Sequence, residues 1–447
     1  MQNLTSVSAA DLTRRIDNED LTASDLTDAC LQRIDQRDGE VQAWTFLDRD
    51  HARAQATNLD DQGEPGNAPG ALHGIPVGLK DIIDTADQPT ENGTVLDAGR
   101  QPDVDAALVR RLRQAGAVIM GKTVTTELAF FAPGKTHNPH NPAHTPGGSS
   151  SGSAAAVAAG MVPLAVGTQT TGSVIRPAAF CGVVGYKPSR GLIARTGVVV
   201  QSDWLDTIGV FSKTVEDAGL IAEVLAGADP GDRHSRTLAR PRLQAAANAK
   251  PPHPPRFAFV RSPVWDQADG EVQAGFEALA DDLGWQCEAI DLPPSFDTGH
   301  AVHTNVMVAG MAHHLGHYYE RGREQLSDRM CQAIEDGRKV LATDYLAGID
   351  HIRRMNADLA LVFSRYDAIL TPATTGTAPL GLETTGDPAF CALWSLAGTP
   401  AISLPLLFGA NGLPIGVQLI GPIGGDAGLL RTAAWLAAQK GMDVIPV

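Results

Sequence analysis

Forty consecutive residues, Thr136 to Ile175, contain no aspartate, glutamate, lysine or arginine. Since 19% of the chain is charged, a window of this length would carry roughly eight such residues by composition. A flexible Gly/Ser linker could lack charge, but the second half of this window, SAAAVAAGMVPLAVGT, is apolar. The window therefore predicts buried interior in which the remaining polar residues have a defined task.

The composition of the whole chain excludes several classes of protein. Its 447 residues are long enough for one large or two ordinary domains, and a 43% hydrophobic content is typical of a folded protein. The net charge of −16 argues against partners such as nucleic acids and anionic membranes, which bind basic patches. Five scattered cysteines without CxxC spacing predict reduced thiols and no zinc site.

The chain opening, MQNLTSVSAADL, has no basic region followed by an apolar run, and no stretch of eighteen apolar residues occurs. We therefore expect a cytoplasmic protein that does not span a membrane. No motif calls for a metal or another cofactor, so we predict none. The sequence does not fix the oligomeric state, although a homodimer would be compatible with it.

Helical and strand patterns alternate along the chain. The helix pattern at 105–117 leads into the strand pattern VIMGKT, and the runs AISLPLLF and PIGVQLIG flank an Asn411-Gly412 pair that predicts a hairpin. A Pro-rich stretch at about 228–255 resembles a linker, and 300–364 is mostly helical in pattern. This order predicts one α/β domain over residues 1–447, with helices covering a sheet.

Lys80 stands in the apolar segment ALHGIPVGLKDIID. Burial disfavours the ammonium form and lowers a lysine pKa from its usual ~10.4, by up to ~3–5 units when burial is complete. Such a lysine can act as a neutral base near pH 7. The alternative is a structural lysine paired with the adjacent Asp81 or another carboxylate.

Two Gly/Ser/Thr loops lie in or beside the uncharged window, TPGGSSSGS (145–153) and GTQTTGSVIRP (167–177). The first lacks the Lys-Ser/Thr pair of a phosphate-binding loop. It contains GSSSG, formally a nucleophile elbow centred on Ser150, but an elbow requires a preceding strand and three prolines precede this one. We therefore expect that match to be accidental.

The segment between the loops suggests that they meet. A helix of about ten residues rises ~15 Å, and the strand VPLAV with its flanks spans a similar ~16 Å. If the two run antiparallel, Ser149 and Ser173 share one site. A neutral Lys80 could then draw a proton through one serine from the other, while loop N–H groups stabilise an oxyanion.

The chain resembles the amidase signature family over nearly its whole length, from about Leu12 to the last helix. The matching motifs are GIPVGLKD (74–81), GKTVTTELAF (121–130), the continuous stretch 145–191, LDTIGVFSKTVEDA (205–218), DAILTPA (367–373) and GLPIGVQLIG (412–421). The resemblance implies an α/β fold, a large mixed sheet of about eleven strands sandwiched between helices. It places the signature core at about 70–220.

The resemblance also implies roles for individual residues. Lys80 matches the catalytic lysine, Ser149 the bridging serine after a cis peptide bond, and Ser173 the nucleophile that is acylated. The oxyanion hole would consist of the segment Thr170, Thr171, Gly172 and Ser173. The implied activity is hydrolysis of a carboxylic amide by a Ser-cisSer-Lys triad, on a small-molecule amide substrate.

Three departures from the family pattern bear on the substrate. The usual family motif TDTGGS reads TQTTGS here, so that Gln169 replaces an Asp and Thr171 replaces a Gly. Arg176 lies three residues after Ser173, whereas many members have this arginine two residues after the serine. Arg176 would either bind a substrate carboxylate or pair with nearby carbonyls or Asp206.

Several other residues are candidates with less support. Possible substrate-binding residues are Arg176, Gln169, Phe131 and Trp204, although aromatic side chains more often pack in the core. His137, His140 and His144 lie among prolines, without a helix or accompanying acids to present them to zinc, so a metal site there is not predicted.

The same triad could instead hydrolyse carbamates, ureas or esters, since each presents an attackable carbonyl. A further alternative is the A-type subunit of a glutamine-dependent amidotransferase, which passes ammonia to a partner. An alternative of another class is a non-catalytic module that binds anions in the Gly-rich loops.

Overall fold

A computed structural model describes residues 4–61, 70–237 and 239–442. Within these ranges eleven strands form one mixed sheet. They are β1 (Trp44–Leu47), β2 (Pro76–Lys80), β3 (Val118–Thr123), β4 (Leu164–Gln169), β5 (Val184–Lys187), β6 (Thr207–Ser212), β7 (Phe257–Phe259), β8 (Cys287–Ala289), β9 (Ala368–Pro372), β10 (Ala401–Phe408) and β11 (Pro414–Ile420). Their order across the sheet is β1-β3-β2-β4-β6-β5-β10-β11-β9-β7-β8.

Fourteen α-helices accompany this sheet within the same ranges. They are α1 (Ala9–Asp17), α2 (Ala23–Val41), α3 (Arg49–Asp61), α4 (Ala107–Gln114), α5 (Ser151–Ala158), α6 (Ile175–Cys181), α7 (Val215–Leu225), α8 (Leu243–Ala247), α9 (Gly270–Leu283), α10 (Gly299–Gly322), α11 (Asp328–Gly337), α12 (Ala342–Phe363), α13 (Ala389–Ala397) and α14 (Asp426–Gln439). None of these helices is both long and apolar enough to cross a bilayer.

The sheet lies between two hydrophobic cores. Successive residues of β10 and β11 alternate between them: Ile402 and Leu419 belong to the larger core, and Ala401 and Ile420 to the second. This alternation follows from the two-residue period of a strand, whose side chains point to opposite faces. The predicted α/β architecture with a mixed sheet of about eleven strands is confirmed.

The centre of the sheet positions the candidate site. β2 and β4 are parallel neighbours, with Leu79 opposite Val166, and every residue of both strands is buried. Since parallel strands end at the same edge of a sheet, the end of β2 at Lys80 and the end of β4 at Gln169 lie side by side. The uncharged window of the sequence therefore contributes β4, and the lysine comes from the strand beside it.

The element boundaries agree with the sequence patterns in most places. The strand VIMGKT is β3, and the predicted hairpin is the antiparallel pair β10–β11. The stretch 300–364 contains α10, α11 and α12. The Pro-rich stretch predicted as a linker contains α8, which packs against α7 and α14 with Leu243 fully buried. That stretch is thus partly folded onto the rest of the chain.

Candidate active site

The two Gly/Ser/Thr loops meet in one pocket beside the carboxyl ends of β2 and β4. Ser149 of the first loop and Ser173 of the second both line it. The other lining residues are Thr126, Ala129, Phe130, Phe131, Thr170, Thr171, Gly172, Arg176, Gln201, Met307, Thr385 and Pro388. The sequence-based expectation that α5 and β4 return the second loop to the first agrees with this arrangement.

Lys80 lies behind the pocket, at the last position of β2, with no exposed surface. Its Nζ is 2.7 Å from Ser149 Oγ and 2.9 Å from Thr168 Oγ1. The adjacent Asp81 accepts hydrogen bonds from the backbone N–H of Glu91. None of the ion pairs in the described part of the chain includes Lys80, so its partners are two hydroxyl groups and not a carboxylate.

Burial dominates the electrostatics of Lys80. Loss of solvation holds the pKa of its ammonium well below the ordinary value, and the nearby Arg176 guanidinium acts in the same direction. The Asp206 carboxylate opposes both effects by attracting the charged form. The surroundings therefore favour the neutral amine, which is the form able to accept a proton from Ser149.

The first loop approaches α6 closely. Gly147 has a positive φ of 82°, and a Cβ at this position would lie 2.9 Å from the Cα of Pro177. Only glycine combines that backbone conformation with so close an approach. The peptide bond between Gly148 and Ser149 is cis. The carbonyl oxygen of Gly148 accepts a hydrogen bond from Arg176 Nη2 at 2.7 Å, which ties this loop to α6.

Ser150, the formal elbow position, is fully buried and does not line the pocket. Its Oγ donates to the carbonyl of Thr168 at 3.2 Å and accepts from the N–H of the same residue at 3.3 Å. A Cβ on Gly167 would come within 2.5 Å of this Oγ. Ser150 thus connects the beginning of α5 to β4, which agrees with the expectation that the elbow match is accidental.

The second loop is held from outside the pocket. Thr170 Oγ1 donates to Asp206 Oδ1 at 2.6 Å, and Ser395 Oγ donates to the carbonyl of Thr171 at 2.6 Å. The hydrogen bonds found in the described part of the chain leave the backbone N–H groups of Thr171, Gly172 and Ser173 without an acceptor. These donors belong to residues that line the pocket, where an oxyanion could use them.

Gln169 is buried and lies outside the pocket lining. Its Oε1 accepts from the N–H groups of Val174 and Ile175, each at 2.9 Å, where α6 begins. Its Nε2 donates to Ser395 Oγ at 3.0 Å. A neutral amide can accept and donate at once, whereas a carboxylate only accepts. The side chain therefore braces the second Gly/Ser/Thr loop against α6 and does not line the pocket.

Arg176 is buried and lines the pocket. Its Nη2 donates to the Gly148 carbonyl and, at 3.0 Å, to Thr385 Oγ1, but Nε and Nη1 have no protein partner. Of the two partners considered from sequence, a carbonyl is present and Asp206 is not among those found. Burial lowers the Arg176 pKa to about 10, which leaves the guanidinium charged at neutral pH. The ring of Phe131 lies 5.9 Å from its Cζ.

The remaining sequence candidates lie elsewhere. Trp204 stacks on Arg190, 4.6 Å from Cζ to ring centroid, and is not part of the pocket lining. His137, His140 and His144 each contact a backbone carbonyl. In the residues that the structure describes, no group of three or more His, Cys, Asp or Glu side chains is arranged to hold a metal ion.

Sequence reasoning missed two residues of this region and assigned a third to another contact. Thr168 accepts a hydrogen bond from Lys80, and Met307 of α10 lines the pocket. Asp206, considered from sequence only as a partner of Arg176, accepts a hydrogen bond from Thr170. Thr168 lies in a matched motif and could have been singled out as a polar residue in an apolar run. Met307 comes from the helical stretch 300–364, where no local pattern distinguishes it from a core methionine.

Known proteins resemble this chain over nearly all of its length. The A subunit of the glutamyl-tRNA(Gln) amidotransferase from Synechococcus sp. (strain RCC307) is 33% identical over 455 residues, which cover 93% of this chain and 94% of that relative. The corresponding A subunit from Halalkalibacterium halodurans is 34% identical, with 95% of each chain covered.

A solved native peptide amidase from Stenotrophomonas maltophilia superimposes with a TM-score of 0.83 at 28% identity, covering 97% of both chains. The sequence model of the Amidase family matches residues 25–430. These matches confirm the predicted amidase signature resemblance and the predicted enzyme class, a hydrolase of carbon–nitrogen bonds. The chain belongs to the Amidase family.

Proposed function

We propose that the chain hydrolyses the C–N bond of a carboxylic amide through an acyl-enzyme on Ser173. The supporting observation is the hydrogen bond between the buried Lys80 and Ser149, at the wall of the pocket that Ser173 also lines. A buried lysine whose pKa is lowered, in contact with a hydroxyl, is a base with a path for a proton. An anion-binding module would not need that pairing.

Acylation follows from these contacts. Ser173 Oγ attacks the amide carbonyl carbon and gives its proton to Ser149, which in turn gives its own proton to the neutral amine of Lys80. The carbonyl oxygen becomes an oxyanion, which the free loop N–H groups stabilise, each well-placed donor contributing about 3–4 kcal/mol. Lys80 then returns the proton through Ser149 to the leaving nitrogen, and the C–N bond breaks.

Deacylation repeats the same proton path. Water attacks the ester carbonyl of acylated Ser173 and loses a proton through Ser149 to Lys80. The tetrahedral species collapses when Ser173 Oγ leaves and regains a proton by the same route. The products are a carboxylic acid and an amine or ammonia, and the protein returns to its starting protonation state.

The pocket lining supports a substrate that carries a carboxylate. Nε and Nη1 of the buried Arg176 have no protein partner, so each can donate a charge-assisted hydrogen bond to a substrate carboxylate. Within the described residues no aspartate or glutamate lines this pocket, so an ammonium group on the substrate would find no counter-charge there. An amide with a carboxylate and without an α-ammonium group fits this lining best.

A second candidate is the A-type subunit of a glutamine-dependent amidotransferase. The named relatives at 33–34% identity favour this alternative over a stand-alone amidase. Its first half-reaction is the same acylation, with glutamine as the amide and ammonia as the leaving group. The two candidates therefore differ in the substrate and in the need for a partner, and not in the chemistry at Ser173.

Ammonia release from a panel of amides separates the candidates. The panel contains monoamides of dicarboxylic acids, glutamine, uncharged aliphatic amides, carbamates and ureas, each with the wild type and with Ser173→Ala. We expect turnover of carboxylate-bearing amides that is lost in Ser173→Ala and kept in Ser364→Ala, a matched control at an exposed serine outside the pocket. Turnover unaffected by Ser173→Ala would refute the proposal.

Glutamine turnover is measured again after gel filtration with and without extract of the source cells. Hydrolysis of glutamine alone among the panel, in a fraction larger than the isolated chain, would instead establish the amidotransferase subunit. Hydrolysis of carbamates or ureas alone would keep the triad and change the substrate class.

A further inference from the structure

A buried carboxylate, Asp206, is hydrogen-bonded to the oxyanion loop (residues 170–173) and acts electrostatically on the proposed base Lys80. Its Oδ1 accepts from Thr170 Oγ1 at 2.6 Å. Its Oδ2 accepts from the backbone N–H groups of Gln201 at 2.7 Å and Ser202 at 3.0 Å. Only 6% of Asp206 is exposed. One carboxylate thus holds Thr170 of the oxyanion loop and Gln201, which also lines the pocket.

A second cavity shows how Asp206 is placed relative to the site. Asp206 lines this cavity together with Thr168, the hydrogen-bond partner of Lys80. Ala129, Thr170 and Gln201 line both this cavity and the pocket that contains Ser173. Asp206 does not line the pocket that contains Ser173, and it reaches that pocket only through Thr170 and the backbone of Gln201.

Five charged or titratable groups surround this region, and one of them is His314 of α10, whose pKa burial lowers and the Asp206 carboxylate raises. The other four come from different elements. Lys80 comes from β2, Arg176 from α6, Arg195 from the segment before β6, and His303 from α10, where its Nε2 lies 3.4 Å from the Thr170 carbonyl. Burial raises the pKa of Asp206, and Arg195 together with the hydrogen bonds lowers it. Burial also lowers the pKa of His303 to about 4, so this imidazole is neutral at neutral pH.

We propose that Asp206 is a positioning residue of the amidase reaction, which holds the oxyanion loop through Thr170 and balances the positive charge that Lys80 gains during acylation. The role rests on the proposed function of Lys80 and Ser173. As the Ser173 proton reaches Lys80 through Ser149, the pair of Lys80 and Asp206 changes from a net charge of −1 to zero. No proton moves to Asp206.

Replacing the Asp206 carboxylate with a neutral side chain should shift the pH dependence of the rate in one direction. The reaction needs neutral Lys80, so its rate rises with pH through the Lys80 pKa. The Asp206 carboxylate raises that pKa, and Asp206→Asn should therefore move the acid limb of the rate profile to lower pH. The plateau rate should fall by about tenfold or more, because the ammonium form is less stabilised when it must form.

The test measures the rate of Ser173 modification by a fluorophosphonate across pH, in the wild type, Asp206→Asn and Thr170→Val. Ser173 Oγ forms the bond to phosphorus, fluoride leaves, and the hydroxyl proton passes to Lys80. Thr170→Val removes one hydrogen bond and keeps the carboxylate, so its plateau should fall while its acid limb stays in place. A purely structural role would give Asp206→Asn the same profile as Thr170→Val.

Thermal melting confirms that each variant is folded. If Asp206→Asn does not fold, Asp206→Glu is used instead; it keeps the charge, so its acid limb should match that of the wild type while its plateau differs. The inference would be overturned if the acid limb of Asp206→Asn stayed in place or moved to higher pH. It would also be overturned if the acid limb of Asp206→Glu shifted from that of the wild type. A wild type that the probe does not modify at Ser173 would instead refute the proposed function.

Discussion

Thr168→Val tests the immediate surroundings of the proposed base. Thr168 Oγ1 accepts one hydrogen bond from Lys80 Nζ at 2.9 Å, and the distance from the same Nζ to Ser149 Oγ is 2.7 Å. In the neutral amine, an N–H held by Thr168 leaves the lone pair free to point toward Ser149. In the ammonium that forms during acylation, the same contact becomes a hydrogen bond to a charged donor.

The expected loss can be worked from this contact. A hydrogen bond to a charged group contributes about 1.5–3 kcal/mol, and each 1.36 kcal/mol changes a rate tenfold. Thr168→Val should therefore lower kcat/KM by about 10- to 150-fold. Valine has nearly the shape of threonine, so the pocket keeps its form. Because Thr168 lies behind Ser149 and does not line the pocket, most of the loss should appear in kcat.

The assay compares kcat and KM of the wild type, Thr168→Val and Thr168→Ser on an amide that the wild type cleaves. Thr168→Ser keeps the hydroxyl and should retain most of the activity. Thermal melting checks that both variants are folded. Wild-type kcat in Thr168→Val, or an equal loss in Thr168→Ser, would show that the hydroxyl does not serve Lys80.

Three further predictions concern the surroundings of the pocket. Ser395→Ala should lower the free energy of unfolding in urea by about 1–3 kcal/mol, because it leaves the buried Gln169 Nε2 and the Thr171 carbonyl without their partner; an unchanged unfolding midpoint would contradict this. Met307→Ala should shift the kcat/KM ratio of bulky to small amides about tenfold toward the bulky ones, since Met307 lines the pocket; a constant ratio would argue against that wall. Burial lowers the pKa of His303 to about 4 in the folded protein, against 6.5 for a free imidazole. Protonation of His303 therefore does not reduce the free energy of unfolding above about pH 6.5, and it reduces that free energy by about 3 kcal/mol as the pH falls toward 4. Urea unfolding should show that His303→Asn reduces this acid-side slope, and an equal slope in both proteins would refute it.

Local patterns predicted the parts of the site that lie on one or two adjacent segments. The apolar flanks of Lys80 anticipated its burial, because β2 lies between two parallel strands and is covered on both faces. The lengths of α5 and β4 anticipated that Ser149 and Ser173 would line the same pocket. The resemblance to a known family then gave each residue a candidate role that spacing alone could not supply.

Long-range contacts account for what the sequence did not predict. Asp206, considered from sequence only as a partner of Arg176, instead contacts the uncharged window at Thr170, from the segment before β6. Trp204, considered from sequence as a possible substrate-binding residue, stacks on Arg190 outside the pocket. Met307 contributes to the pocket through the packing of α10 against α11, α12 and α13. Such contacts depend on how distant elements pack, which no local periodicity encodes.

The central claim is that Ser173 is the nucleophile and that Lys80 activates it. The most direct measurement is peptide mapping by mass spectrometry after reaction with a fluorophosphonate, in the wild type and in Lys80→Ala, with thermal melting to verify folding. We predict one modified serine, Ser173, in the wild type, and a loss of that modification in folded Lys80→Ala. Modification of another serine, or equal modification of Ser173 in Lys80→Ala, would contradict the account.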